Sequence, residues 1–276
     1  MVAPPDEPRP PVLVARRTLG NDGSHAALVT LNRPDTLNAI DRTMLDALGK
    51  AITSVEGDAT VRALLLTGNG RAFSAGGDLK QYLTLQRDPV EFPKFVADLH
   101  ATFGRLRELR IPVIALINGV TAAGGLELVL NCDFAVIARS ARIGDAHLNF
   151  GQMGGGGVLT LLPRAIGRAR ANELIFSGRF LDAAEALDWG LASRVTADDE
   201  LLTVGLELAE GIAEKSPLAV ANAKAVLHTL WSGNLTVEDG LRVERERNDE
   251  YCLTSHDARE GLEAFREKRR PRFDGR

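Results

Sequence analysis

Residues 111–138 run for 28 positions without a lysine or arginine, and Glu127 and Asp133 are their only acids. A stretch so poor in charge belongs to the interior, and its punctuation shows how it is divided. Residues 111–117 form a near-continuous apolar run that Asn118-Gly119 ends. Residues 122–131 (AAGGLELVLN) read as a buried helix, and 134–138 as a further apolar strand. Strands without polar alternation are buried on both faces, as in a parallel sheet with helical crossovers. The chain must therefore fold around a buried strand–helix–strand unit.

The same alternation continues upstream. Residues 12–18 and 26–31 flank the turn-rich Leu19-Gly20-Asn21-Asp22-Gly23 and read as a β-hairpin. Asp41 caps a helix with apolar positions at Leu45, Leu48, Ile52 and Val55. Residues 61–67 (VRALLLT) are another buried strand, followed by a glycine-rich bend from Gly68 to Gly77. This order argues for an α/β architecture. Beyond residue 198 four helical segments follow, with start signals at Ser216-Pro217, Thr236 to Asp239, and Ser255. The expected organisation is a disordered arm over 1–11, an α/β core over 12–198 and a helical region over 199–276. The arm, MVAPPDEPRPP, has no apolar centre and does not read as a secretory signal.

Composition removes several function classes. With 33 basic and 37 acidic residues the formal net charge is −4, which gives no general attraction to nucleic acid or anionic lipid. No apolar run has the length of a membrane span. Two cysteines, Cys132 and Cys252, make neither a disulfide framework nor a four-ligand zinc site. The expected setting is a reducing, cytoplasmic one, without nucleic-acid or membrane partners.

The chemistry concentrates around Glu127. A carboxylate one turn into an apolar helix is costly to bury, and burial raises its pKa toward the range of a general acid/base. The plainer reading is a carboxylate held by backbone N–H groups near a helix N-terminus. Gly124 and Gly125 open that helix, where N–H groups lack internal partners and can stabilise an oxyanion. A second glycine turn lies in residues 73–80 (FSAGGDLK), after the buried strand 61–67. Two such turns at the C-terminal ends of buried strands can face one cleft; each alone is a tight turn. His25 falls in the hairpin, and His100, His228 and His256 in helices. None has metal-ligand spacing with a third ligand nearby, so no metal is expected. The glycine run 154–157 gives no GxGxxG, and no GK[ST] exists.

Four segments, LNRPDTLNAID (31–41), LTGNGRAFSAGGDLK (66–80), INGVTAAGGLELVLNCDFAVIA (117–138) and DAREGLEAFREKRRPRF (257–273), strongly resemble the crotonase superfamily, the enoyl-CoA hydratase/isomerase family. The resemblance spans residues 12 to 273. It implies an α/β spiral of ββα repeats with a C-terminal α-helical region, assembled as a trimer or a dimer of trimers. It implies an acyl-CoA substrate of fatty acid metabolism and no cofactor, CoA being part of the substrate. The N–H groups of Gly77 and Gly124 would hold the thioester enolate. Backbone groups near Ala75, Asp78 and Leu79 would hold the CoA adenine. Lys268 would meet the CoA phosphates, Arg266, Arg269, Arg270 and Arg272 reading mostly as a solvated helix end. Residues 81–98 match a variable segment, so Tyr82, Phe92 and Phe95 line the acyl pocket or pack as core. Cys132, before Asp133, is a small buried residue.

The chain departs from the family where two glutamates share a water. Glu127 matches the first, but the second position holds His147. Gly155 matches a glycine near that water and is kept. Gly154 replaces a proline, and Thr160-Leu161-Leu162 stands where a glutamine-arginine pair is expected. Histidine titrates near neutrality and can serve as acid or base. If 143–151 is extended, Asp145 and His147 share a face and the carboxylate orients the imidazole; otherwise His147 is a pocket histidine without a proton-transfer role. Three readings follow. The first is a 2-enoyl-CoA hydratase or isomerase with Glu127 as acid/base and His147 assisting. The second is a hydrolase or carbon–carbon bond-cleaving enzyme using His147 and Asp145. The third is a non-catalytic acyl-CoA-binding relative.

Overall fold

The computed structural model describes residues 9–20 and 23–276. Residues 1–8 of the expected arm and two residues of the hairpin turn lie outside that range. At the end of the arm, the carbonyls of Pro10 and Pro11 accept from the Asn32 side chain and backbone at 3.0 and 2.7 Å.

Strands β1 (Val12–Thr18) and β2 (His25–Leu31) pair antiparallel as the expected hairpin, Val12 opposite Leu31 and Thr18 opposite His25. Helix α1 (Arg42–Glu56) begins where the Asp41 carboxylate accepts from the Met44 N–H at 2.8 Å. Its apolar stripe, including Leu45, Leu48, Ile52 and Val55, is buried. Strand β3 (Val61–Gly68) returns parallel to β2 and is followed by β4 (Ala72–Ser74), α2 (Leu79–Leu85) and α3 (Glu91–Glu108). The next turn comprises β5 (Val113–Ile117), β6 (Val120–Ala122) and α4 (Gly124–Leu130). The third adds β7 (Phe134–Ala138), β8 (Arg142–Gly144), α5 (Val158–Ile166) and α6 (Arg168–Ser177). Strand β9 (Phe180–Asp182), α7 (Ala183–Asp188) and β10 (Arg194–Thr196) complete the sheets.

The strands sort into two sheets, ordered β1-β2-β3-β5-β7-β10 and β4-β6-β8-β9. After the β1-β2 hairpin, both strands of which lie in the larger sheet, the pairs β3-β4, β5-β6 and β7-β8 each give one strand to each sheet before helices carry the chain onward, so the path is a spiral of ββα units. The corner between β3 and β4 is held by Asn118, which accepts from the Gly68 N–H at 3.0 Å and donates to the Gly70 carbonyl at 2.9 Å. Every residue of β5 is buried, as its uninterrupted apolar sequence requires. Four helices end the chain: α8 (Leu201–Ala213), α9 (Pro217–Ser232), α10 (Val237–Thr254) and α11 (His256–Glu267). Helix α8 packs on β3, β5 and β7. Among the described residues no helix is long and apolar enough to cross a membrane.

Two local expectations are corrected. The helix placed over 122–131 starts at Gly124, and β6 precedes it. Between them Ala123 takes a left-handed φ of 48° with ψ −116°, a strained turn for a residue with a Cβ. The segment through Asp145 and His147 is not extended. Strand β8 stops at Gly144, Ala146 has φ 56°, and His147–Phe150 forms a 3-10 turn.

Candidate active site

The two glycine turns follow adjacent strands of the smaller sheet, because β4 pairs with β6. The main chain of the first turn is fixed by Ile40. Its N–H donates to the Gly76 carbonyl at 2.8 Å, and its carbonyl accepts from the Asp78 N–H at 3.1 Å. Gly76 has φ +94°, and a Cβ there would sit 2.8 Å from the Ala123 Cβ and 3.1 Å from the Gly124 nitrogen. Only glycine lets the turns approach so closely. A Cβ on Gly124 would lie 3.6 Å from the Gly77 nitrogen, so the two amides are neighbours at one point of the cleft. Among the described residues neither N–H donates to a protein acceptor. Gly124 is the first residue of α4, where that is expected, and the helix dipole adds positive potential.

One turn along α4, Glu127 is buried, with 3% of its side chain exposed. Its Oε1 accepts from the Gly156 N–H at 2.7 Å and the Val158 N–H at 3.3 Å. Its Oε2 lies 4.0 Å from His147 Nε2. Burial pushes the Glu127 carboxyl above its ordinary range, against the pull of the His147 charge and the two N–H donors. Gly156 is the glycine that makes room for the carboxylate: a Cβ there would lie 2.5 Å from Oε2. Gly155, the glycine singled out by resemblance, is exposed and its Cβ direction meets Val96 at 3.1 Å.

His147 Nδ1 lies 2.7 Å from Asp145 Oδ1, and Asp145 is 1% exposed. The pairing expected from a strand is thus made by a left-handed turn, with Ala146 folding one side chain onto the other. Burial works against the imidazolium. The Asp145 hydrogen bond and the charges of Glu127 and Asp145 outweigh it and hold the His147 pKa above the ordinary histidine value. With Nδ1 engaged by Asp145, Nε2 is the nitrogen that faces Glu127.

The variable segment supplies the apolar wall. Phe95 and Leu99 of α3 are buried, and Val96 and Leu99 abut Gly155 and Gly156. Tyr82 meets Phe92 and Phe95 edge to face at 5.9 and 5.7 Å. Its ring also covers Gly77, where a Cβ would lie 2.7 Å from Tyr82 Cε2.

The remaining predicted residues lie farther out. The N–H groups of Ala75 and Asp78 donate to Leu37 and Ile40. Besides the Gly77 N–H, the Ala75 carbonyl and the Leu79 N–H of that loop have no hydrogen-bond partner among the described residues. Lys268 caps α11 in a left-handed conformation, exposed, on a helix that packs on α9 and α10. His256, read as lacking ligand neighbours, is brought beside Asp257 and Asp274, with donor atoms within 4.8 Å. The Asp257 carboxylate there already accepts from Ser216 Oγ and the N–H groups of Asp274 and Gly275. A cavity of about 680 Å³ bordered by Lys224, Asp133 and Trp231 shares no residue with the cleft.

The sequence missed Gly156 and Val158 as holders of Glu127. A glycine run just before an apolar helix marked the place, but not which residue meets the carboxylate.

Comparison with known proteins gives a consistent picture. The family model described as enoyl-CoA hydratase/isomerase matches residues 22–276. A Mycobacterium tuberculosis protein named "Probable enoyl-CoA hydratase echA8" is 37% identical over 249 residues, 90% of this chain and 94% of that protein. The structure of an enoyl-CoA hydratase from Bacillus anthracis superposes with a TM-score of 0.89 at 34% identity, covering 96% of this chain and 100% of the other. That of an enoyl-CoA hydratase from Mycobacterium smegmatis gives 0.87 at 32% identity, covering 96% and 99%.

Proposed function

The chain belongs to the enoyl-CoA hydratase/isomerase family and has its crotonase-like α/β fold, and on that premise we propose how its cleft works on an acyl-CoA thioester. The thioester oxygen lies between the N–H groups of Gly77 and Gly124. As the acyl carbons react, negative charge moves onto that oxygen, and the two fixed donors stabilise it by several kcal/mol. For hydration of a 2-enoyl-CoA, the Glu127 carboxylate takes a proton from water as its oxygen bonds to Cβ. The resulting enolate takes a proton at Cα from the His147 imidazolium. The proton then passes from Glu127 back to His147, and the cycle closes without net charge. Asp145 keeps the ring charged and its Nε2 turned to Glu127. A double-bond shift uses the same groups without the water.

The observation that carries this reading is the meeting of two unengaged N–H groups and one buried carboxyl at a single cleft. The Ala75 carbonyl and Leu79 N–H, which have no partner among the described residues, are proposed for the adenine, and Lys268 for the CoA phosphates. We assign a trimer-based assembly through the tail helices. Glu127→Gln should lower turnover of 2-enoyl-CoA by 10²- to 10⁴-fold while acyl-CoA still binds. Undiminished turnover would remove Glu127 from the chemistry.

One observation favours a second reading. The Asp145–His147 pair is the arrangement that activates water against a carbonyl. Mass spectrometry of the products separates the two: a hydroxyacyl-CoA or shifted enoyl-CoA for the first, free CoA or a cleaved acid for the second.

A further inference from the structure

The cleft has an uneven set of polar groups. Glu127 Oε1 is engaged by two main-chain donors, which leaves Oε2 as its open acceptor. The open donors are the N–H groups of Gly77 and Gly124, the His147 Nε2–H of the charged ring, and the Tyr82 hydroxyl. The last is the least expected. Its ring lies flush on Gly77 and is fixed edge-on by Phe92 and Phe95. Its O–H donates to no acceptor among the described residues. Burial, with the nearby Glu127 charge, pushes the phenol up to about 12. It therefore stays neutral and offers a proton donor at every working pH.

Tyr82 is half-buried and its hydroxyl reaches solvent, so an acyl chain that covers it without supplying an acceptor leaves it unpaired at a cost. The thioester oxygen already has two donors. We propose, resting on the reading of this cleft as an acyl-CoA site, that Tyr82 is a specificity-determining residue. Its hydroxyl binds a second acceptor oxygen carried on the acyl chain. The substrate class is then an oxygenated acyl-CoA, bearing a keto or carboxyl oxygen, rather than a plain alkyl one. An alkyl chain leaves the phenol unpaired, and sites built around a substrate oxygen reject analogues that lack it.

The test is binding by calorimetry of butyryl-CoA, acetoacetyl-CoA and succinyl-CoA to the wild-type protein and to Tyr82→Phe, which keeps the ring and its packing. The wild type should bind at least one oxygenated thioester tenfold or more tighter than butyryl-CoA. Which one it prefers separates a keto from a carboxyl acceptor. Tyr82→Phe should erase that preference by weakening the oxygenated thioester tenfold or more, while butyryl-CoA, with no hydroxyl left unpaired beneath it, binds at least as tightly as to the wild type. Equal weakening of all three ligands, no effect on any, or a wild type without the preference overturns the proposal. Failure of the wild type to bind any of the three would instead overturn the acyl-CoA reading. Tyr82→Leu serves as a second variant, since it removes hydroxyl and ring together. Selectivity lost there but kept in Tyr82→Phe would place the effect in the ring and also overturn the proposal.

Discussion

At the residue scale, the cost of the site is concentrated in Glu127. An acid whose pKa is raised by burial stays protonated in the folded chain at pH values where the unfolded chain has released its proton. The folded state thus loses stability from about pH 4.5, the ordinary value, upward, and the loss is complete once pH passes the folded value. Glu127→Gln, which removes the titration, should therefore match the wild type in melting temperature near pH 4 and exceed it near pH 8. Each kcal/mol recovered is worth about 2–4 °C. Melting curves against pH check this, and a gain that is largest at acid pH would reverse the assignment. A second residue-scale prediction concerns room for the carboxylate. In Gly156→Ala the new methyl would stand 2.5 Å from Glu127 Oε2 and 2.6 Å from Leu99 Cδ2. Displacing the carboxyl should lower kcat by about 10²-fold with a smaller change in KM, read from steady-state kinetics. Much of this was legible in sequence. Glu127, Gly124 and Gly77 stand in readable patterns, and all three meet at the cleft. The Asp145–His147 contact was foreseen through the wrong geometry. A positive φ at an alanine leaves no compositional trace, and it is the Ala146 turn that brings the side chains together.

At the element scale, the spiral was legible where burial alone decides the strand. Residues 61–67 and 134–138 appear as β3 and β7 to within a residue, because a strand covered on both faces has to be continuously apolar. The short strands of the smaller sheet were not read. Strands β4, β6, β8 and β9 have three residues each, too few to show a period, and their identity comes from pairing across the chain. Helix α4 was read two residues too early for the same reason, since β6 occupies its expected start. The junction between α4 and β4 is tight: a Cβ on Gly125 would strike the carbonyl oxygen of Ser74, which is main chain and cannot rotate away. Gly125→Ala should cost at least about 2 kcal/mol, a fall of roughly 4 °C or more by calorimetry. A variant as stable as the wild type would mean that α4 and β4 are not in contact.

At the scale of the whole molecule, the tail is both fastened to the core and open on its outer side. Lys224 of α9 reaches through to the Leu106 and Ile111 carbonyls at 3.2 and 2.8 Å and to Asp133 Oδ2 at 2.7 Å, with 8% of its side chain exposed. A buried ammonium with three acceptors fixes α9 against the ends of α3, β5 and β7, because leaving any of those partners unpaired is costly. The outer helices show the opposite. Leu253 of α10 and Leu262 and Phe265 of α11 are 79%, 75% and 84% exposed. Large apolar side chains grouped on neighbouring helices are what a subunit interface covers, and burying each would contribute about 1.5–3 kcal/mol. If these side chains form the proposed trimer contact, light scattering after gel filtration should give three or six times the chain mass. The double variant Leu262→Asp, Phe265→Asp should elute as a folded monomer with unchanged far-UV dichroism, since neither side chain supports the core. A wild type that runs as a monomer would remove the trimer, and a double variant that remains trimeric would move the contact to another face.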